Sequence, residues 1–229
     1  MKRSEINRAI VAARRFLAER SFALPPFAAW TPKDWRSAGP DCRRILECGL
    51  GWDITDFGCG DFPRIGAVLF TIRNGVLGSQ GIGTPYAEKI IILQPGQRLP
   101  IHMHWSKQED IINRGGGTLV MELYNAHKDQ SLDKDSPVTV WCDGRERKVP
   151  AGAAVKLGPG ESMTLTPGSY HKFWADAAGG TLLVGEVSSV NDDRTDNLFA
   201  EKVSRFATVE EDEPAQFLLC NEYDTAIRR

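Results

Sequence analysis

Two imidazoles and a carboxylate lie close together between Gly96 and Gly116, in G-Q-R-L-P-I-H-M-H-W-S-K-Q-E-D-I-I-N-R-G-G. His102 and His104 flank Met103, and Glu109 follows five residues after the second histidine. On an extended strand side chains alternate between faces, so His102 and His104 share one face and Met103 takes the other. A short turn through Ser106 and Lys107 brings Glu109 back on the next strand, facing the same cavity. Of the four histidines, His171 sits in a second glycine-flanked turn, P-G-S-Y-H, and His127 in a polar loop that reads as solvated. His102, His104 and Glu109 form a mixed nitrogen and oxygen set. Such a set suits Mn²⁺, Fe²⁺, Co²⁺ or Ni²⁺, with Zn²⁺ also compatible. Open coordination positions point to a catalytic or ligand-binding metal and away from a purely structural one.

The spacing resembles the cupin superfamily. Its first motif runs glycine, H-x-H, glutamate, glycine, and Gly96, His102, His104, Glu109 and Gly116 fill those places without a gap. The second motif is looser: Gly160, Pro167, Gly168 and His171 match, but proline and glycine are adjacent and Ala175 stands where an asparagine is common.

Ligand identity alone does not separate oxygen activation from Lewis-acid chemistry. An oxygenase needs a redox metal and an apolar pocket. An aldose–ketose isomerase needs a metal at O1 and O2 and a base that moves a proton between C1 and C2 through an enediol. The flanking residues favour the second. Lys107, at the rim, can steady a developing oxyanion, although it can also be an exposed turn lysine. Glu186 lies in the apolar run L-L-V-G-E-V-S, where a carboxylate must find a partner or carry a shifted pKa, either of which suits a proton shuttle. The plainer reading pairs it with Lys89, Lys172 or Arg194, or exposes it to solvent. Asp192, Asp193 and Arg194 can close over the mouth and bind sugar hydroxyls, or form an ordinary charged loop. Trp30 and Trp35 can cover a sugar cavity, or simply pack in a core.

The elements that position these groups follow from periodicity. Residues 4 to 19 read as a helix capped by Ser4, with Ile6, Ile10, Ala13 and Leu17 on one face. Thr31-Pro32 reads as the cap and first turn of a short helix. The glycine- and aspartate-rich stretch from Gly49 to Asp61 reads as irregular chain, with strand-like pieces at most. Strand signals then dominate: 67–73, 87–94, 99–105, 109–113, 118–124, 138–142, 147–150, 154–157, 162–166, 170–175 and 181–188. Short strands separated by Gly and Pro make an all-β fold, a jelly-roll barrel with an N-terminal helix and short peripheral helices. The expected organisation is one domain over 1–229: a helical and irregular extension at 1–62, a barrel core at 63–190 and a C-terminal extension at 191–229. That tail reads as a loop or short helix followed by an extended piece from Gln216 to Leu219.

Composition sets limits on partners. The net charge of −2, from 28 basic and 30 acidic residues, gives no electrostatic case for nucleic acid or an anionic membrane. The start of the chain leads into an amphipathic segment, with no apolar signal core, and no run is long enough to span a membrane. Five cysteines without a C-x-x-C pair suit reduced thiols in a cytoplasmic protein.

As a whole the chain resembles the cupin-type D-lyxose ketol-isomerases. The resemblance rests on G-W-D-I-T-D-F-G-C-G-D-F (51–62), L-F-T-I-R-N-G (69–75), Y-A-E-K-I (86–90), H-M-H-W-S-K-Q-E-D-I-I-N-R-G-G-G (102–117), P-G-S-Y-H-K-F-W (167–174) and E-V-S-S-V-N-D-D-R-T-D-N (186–197). It implies interconversion of D-lyxose and D-xylulose, with D-mannose and D-fructose as a second pair. It also implies Mn²⁺, a cytoplasmic homodimer, metal ligands His102, His104, Glu109 and His171, and catalytic roles for Lys107 and Glu186. Lys89, Trp30, Asp192 and Arg194 are the candidates for substrate contact. A cupin sugar-phosphate isomerase, an Fe²⁺ dioxygenase and a non-catalytic sugar-binding cupin are the rival readings. Free sugar fits better than sugar phosphate, because no Gly-rich phosphate loop or arginine cluster adjoins the motif.

Overall fold

A computed structural model describes residues 1–79, 81–190 and 192–223. Its helices are α1 (Arg3–Ala18), α2 (Pro32–Ser37) and α3 (Arg43–Glu47). Its strands are β1 (Gly51–Thr55), β2 (Ala67–Gly75), β3 (Gly83–Leu93), β4 (His102–His104), β5 (Glu109–Gly115), β6 (Leu119–Ala126), β7 (Leu132–Asp133), β8 (Val138–Cys142), β9 (Arg145–Val149), β10 (Val155–Leu157), β11 (Ser162–Leu165), β12 (Tyr170–Ala175), β13 (Leu182–Ser189) and β14 (Asn197–Phe199).

Two sheets face each other as a jelly roll. One runs β1-β2-β3-β13-β5-β11-β8-β9 and the other β10-β6-β12-β4-β14, with β7 beside β6. Between them lies an apolar core that includes Leu69, Ile91, Ile111, Met121, Leu123, Leu165, Phe173 and Val184. Period-two alternation explains the split of residues between faces. On β3, Ile91 and Leu93 point into the barrel, while Ile90 and Ile92 join an outer cluster with Ile6, Ile10 and Leu17 of α1. Both faces of β3 are therefore covered, which is why I-I-I-L reads as an unbroken apolar run. No described helix is long and apolar enough to cross a membrane.

The helix cap differs from expectation. The Glu5 carboxylate accepts from the Lys2 backbone N–H at 2.8 Å, and Ser4 instead donates to Asp212 at 2.7 Å. Thr31 does cap α2, accepting from the Asp34 N–H. Three strands lie outside the expected ranges: β1, β14 and the two-residue β7 in the polar loop after His127. β14 is short and lies in charged chain, and its pairing comes from β4: Asn197 opposite His104, Phe199 opposite His102. The extended piece at 216–219 forms only an isolated bridge, Leu219 to Trp52.

β1 is the other departure, a fully buried strand inside the supposedly irregular stretch. Gly51 is there for close approach: its φ is 118°, and a Cβ would lie 2.0 Å from the Tyr223 hydroxyl. That hydroxyl donates to the Leu50 carbonyl at 2.9 Å. Gly51→Ala must strain the backbone and displace Tyr223, at a cost on the order of 1–3 kcal/mol. The expected result is a melting temperature lower by several degrees; an unchanged value would contradict the packing described.

Candidate active site

The site is built from β4, β5, β12, β13, β3 and the chain after β13. His102 and His171 are directly opposed in the β4–β12 pair. Glu109 opens β5, and the turn between β4 and β5 carries Lys107 into the interior, where it is only 3 % exposed. Asp196 fixes that turn: its carboxylate accepts from the Ser106 N–H, the Ser106 hydroxyl and the Lys107 N–H at 2.9–3.0 Å.

Backbone carbonyls set the imidazole tautomers. His102 Nδ1 contacts the Pro100 oxygen at 2.9 Å, His104 Nδ1 the Asp196 oxygen at 3.0 Å, and His171 Nδ1 the Ser169 oxygen at 3.1 Å. A carbonyl can only accept, so each Nδ1 must donate and each Nε2 keeps its lone pair. Burial, then the neighbouring His171 and His104, pushes the His102 pKa well down, which keeps that ring neutral. Ligand atoms of the three histidines lie within 4.8 Å of one another. Glu109 Oε1 is 3.3 Å from His104 Nε2 and 3.2 Å from His171 Nε2. These three atoms are buried and have no hydrogen-bond partner. Orphaned lone pairs converging on one point are costly unless an electrophile satisfies them. The three-histidine group therefore fits a divalent metal, with backbone carbonyls holding each ring from behind as metal-bound histidines require.

Beside the histidines runs a chain of alternating charges. Lys107 Nζ lies 2.6 Å from Glu109 and 3.0 Å from Glu186, and Lys89 Nζ lies 3.4 Å from Glu186 and 3.2 Å from Asp193. Arg205 continues it, 2.6 Å from Asp193 and 2.7 Å from Asp53. Burial alone would raise the Glu186 pKa, but Lys107 and then Lys89 hold it below the ordinary value. Burial acts likewise on Glu109, where Lys107 and His104 keep it well below the usual range. Burial would lower the Lys107 pKa, yet Glu109 and Glu186 hold it above that of a free lysine. Asp193, pushed up by burial, is kept well down by Arg205 and Lys89. At neutral pH Glu186 is thus a carboxylate clasped by two ammonium groups.

The structure brings together His102, His104, Glu109, His171, Lys107, Glu186 and Lys89 around one cavity. Lys107 is buried there, not an exposed turn lysine. Of the partners foreseen for Glu186, Lys89 is engaged, whereas Lys172 pairs with Glu122 at 3.0 Å. Trp30 does not line this cavity: it meets Trp35 edge-on, with ring centroids 4.8 Å apart, in an aromatic cluster with Phe27. Asp192 and the exposed Arg194 line a neighbouring outer pocket instead. His127 is exposed, as expected. Arg205, Asp53 and Phe199 carried no assignment from the sequence, and Asp193 was named only together with Asp192 and Arg194. Asp193 stood between the two residues favoured in its loop, and nothing local marked which of D-D-R would turn inward. Arg205 lies far away in sequence and carries no motif, and nothing in the stretch 51–62 marks Asp53 as a partner of the site.

The comparisons accord with this geometry. A family model described as D-lyxose isomerase matches residues 1–223. A D-lyxose/D-mannose isomerase from Escherichia coli O157:H7 is 47% identical, covering 97% of this chain and 98% of its own, and one from Serratia proteamaculans is 46% identical over the same shares. Among solved structures, the L-ribose isomerase of Acinetobacter sp. DL28 in complex with L-ribose superposes with a TM-score of 0.60 at 15% identity, covering 92% of this chain and 98% of its own. That likeness shows a shared cupin-like fold. On the full-length family match and the two close relatives, this chain belongs to the D-lyxose isomerase family.

Proposed function

We propose that this protein is a metal-dependent aldose–ketose isomerase. It interconverts D-lyxose with D-xylulose and, as a second pair, D-mannose with D-fructose. The observation that carries the reading is the position of Glu186, a buried carboxylate held by Lys107 and Lys89 next to the orphaned histidine nitrogens. The family relatives named for both sugars support the same reading.

His102, His104, Glu109 and His171 would hold the metal. When bound, it supplies Lewis-acid polarisation of the sugar's oxygens at C1 and C2. While the hydroxyl proton of O2 passes to O1, Glu186 accepts the proton from C2 and returns it to C1. Its ionised state at neutral pH makes it ready to accept, and its enclosure keeps the proton from exchanging freely with water. Lys107 offsets negative charge as it develops on the substrate oxygen. Lys89 orients Glu186 from the far side. Apolar walls from Leu69, Ile91 and Phe173 exclude water around these charges. A polar, charge-lined cavity suits a sugar better than the apolar substrate of a dioxygenase.

Mn²⁺ is our choice among the metals that this donor set accepts. The single-domain organisation, a cytoplasmic location and a homodimer rest on the family resemblance. The five cysteines, all free thiols, accord with a reducing compartment.

Lys89, Lys107 and Arg205, the cations lining the cavity among the described residues, are all engaged by carboxylates. A phosphate would have to compete for them. Metal-loaded protein should therefore form ketose from D-lyxose and D-mannose and work poorly on D-mannose 6-phosphate. A preference for the phosphorylated sugar would overturn the free-sugar reading.

A further inference from the structure

The cavity beside the histidines is small. It has about 40 Å³ of room, far below the roughly 300–1,000 Å³ usual for small-molecule sites. An aldopentose cannot enter without moving a wall. Part of that wall is strand-borne core: Leu69, Ile91 and Phe173. On another side Lys89 of β3 meets Asp193, which is carried by the loop after β13.

Behind that partition lies a second chamber. Its volume is about 350 Å³, inside the roughly 300–1,000 Å³ usual for small-molecule sites. Lys89 and Asp193 line both spaces, so a single layer of ion-paired side chains separates them. The outer lining offers Asp53, Thr71, Asn74 and Asp192 for hydroxyl groups and the ring of Phe206 for a C–H face. Of its carboxylates, Glu47 pairs with Arg43, Asp53 with Arg205 and Asp193 with Lys89 and Arg205, while Asp192 stands beside Arg194. Carboxylates accept from sugar hydroxyls.

Free aldoses in water are overwhelmingly closed rings. A compact polar chamber fits a ring, whereas the narrow space at the histidines requires the chain form. We infer that the outer chamber is an antechamber that binds the pyranose ring of a neutral aldose before the sugar crosses the Lys89–Asp193 partition. This deepens the isomerase reading given above and rests on it. It also gives Asp192 and Arg194 a place: they bound the antechamber, not the reacting carbons.

The test uses methyl α-D-mannopyranoside, a ring that cannot open and cannot be isomerised, with the full-length protein. Saturation-transfer NMR and calorimetry should show that it binds the metal-loaded protein. Binding should persist within about twofold in the metal-free His102→Ala/His104→Ala variant. Val76→Trp, which fills the antechamber from β2–β3, should weaken it at least about tenfold and raise KM for D-mannose, with metal content unchanged. Asp192→Leu, a milder change, should weaken binding in the same direction and serves if the tryptophan variant does not fold. No binding to the wild-type protein, loss of binding with the two histidines, or indifference to the antechamber variants would each overturn the inference. If the glycoside binds as described but the wild-type protein forms no ketose from any aldose, the isomerase reading fails and the antechamber stands.

Discussion

Glu186→Gln should lower kcat by about 10²- to 10⁴-fold, the usual worth of a positioned general acid–base group. The amide keeps the shape and can still accept from Lys107, but it cannot take a proton from carbon. The substitution should spare the fold, because each neighbouring cation keeps another carboxylate: Lys107 retains Glu109 and Lys89 retains Asp193. Metal content and sugar binding should therefore match the parent. Steady-state kinetics with metal analysis decides it. Turnover within about threefold of the parent, roughly 0.7 kcal/mol of barrier, would place the proton shuttle on another group.

The second large effect concerns stability. Lys107→Met leaves two carboxylates, Glu109 and Glu186, 2–6 % exposed at the side chain, without the cation between them. Removing one member of a buried ionic group costs about 3–5 kcal/mol, since the remaining charges stay desolvated. For a chain of this length that is a fall in Tm on the order of 10 °C. The metal-free protein is the one to melt, because a bound cation would compensate Glu109. Glu186 then keeps only Lys89, and adding Glu186→Gln to Lys107→Met removes one of the two crowded carboxylates and should restore part of the loss, a non-additivity expected of groups in contact. A metal-free Lys107→Met protein as stable as its parent would contradict the network. So would a double variant whose losses simply add.

Much of this site was readable before any fold was known, for a physical reason. His102, His104 and Glu109 act through spacing along one hairpin, and strand alternation converts spacing directly into direction. Glu186 was visible because a carboxylate in L-L-V-G-E-V-S contradicts its surroundings. What stayed hidden depends on contacts between distant segments. Arg205 reaches Asp53 across 152 positions, and Asp196 holds the β4–β5 turn from 90 positions away. Neither partner has a local pattern that favours the contact. The same holds for the fold: most strands of the barrel announce themselves by alternation. β14 exists because β4 offers it an edge, and β1 is disguised by a glycine whose purpose is Tyr223. Trp30 shows the converse: of its two readings, sugar cover and core packing, the structure shows the packing, against Trp35.

In the proposed isomerase the three histidines and Glu109 hold a metal without which the sugar is not isomerised. Protein stripped with EDTA should form no D-xylulose from D-lyxose, and should regain activity when Mn²⁺ is added back, with slower ketose formation from D-mannose. Undiminished conversion by protein shown to be metal-free would contradict the claim. So would metal-replete protein, with metal bound at His102, His104, Glu109 and His171, that converts neither sugar.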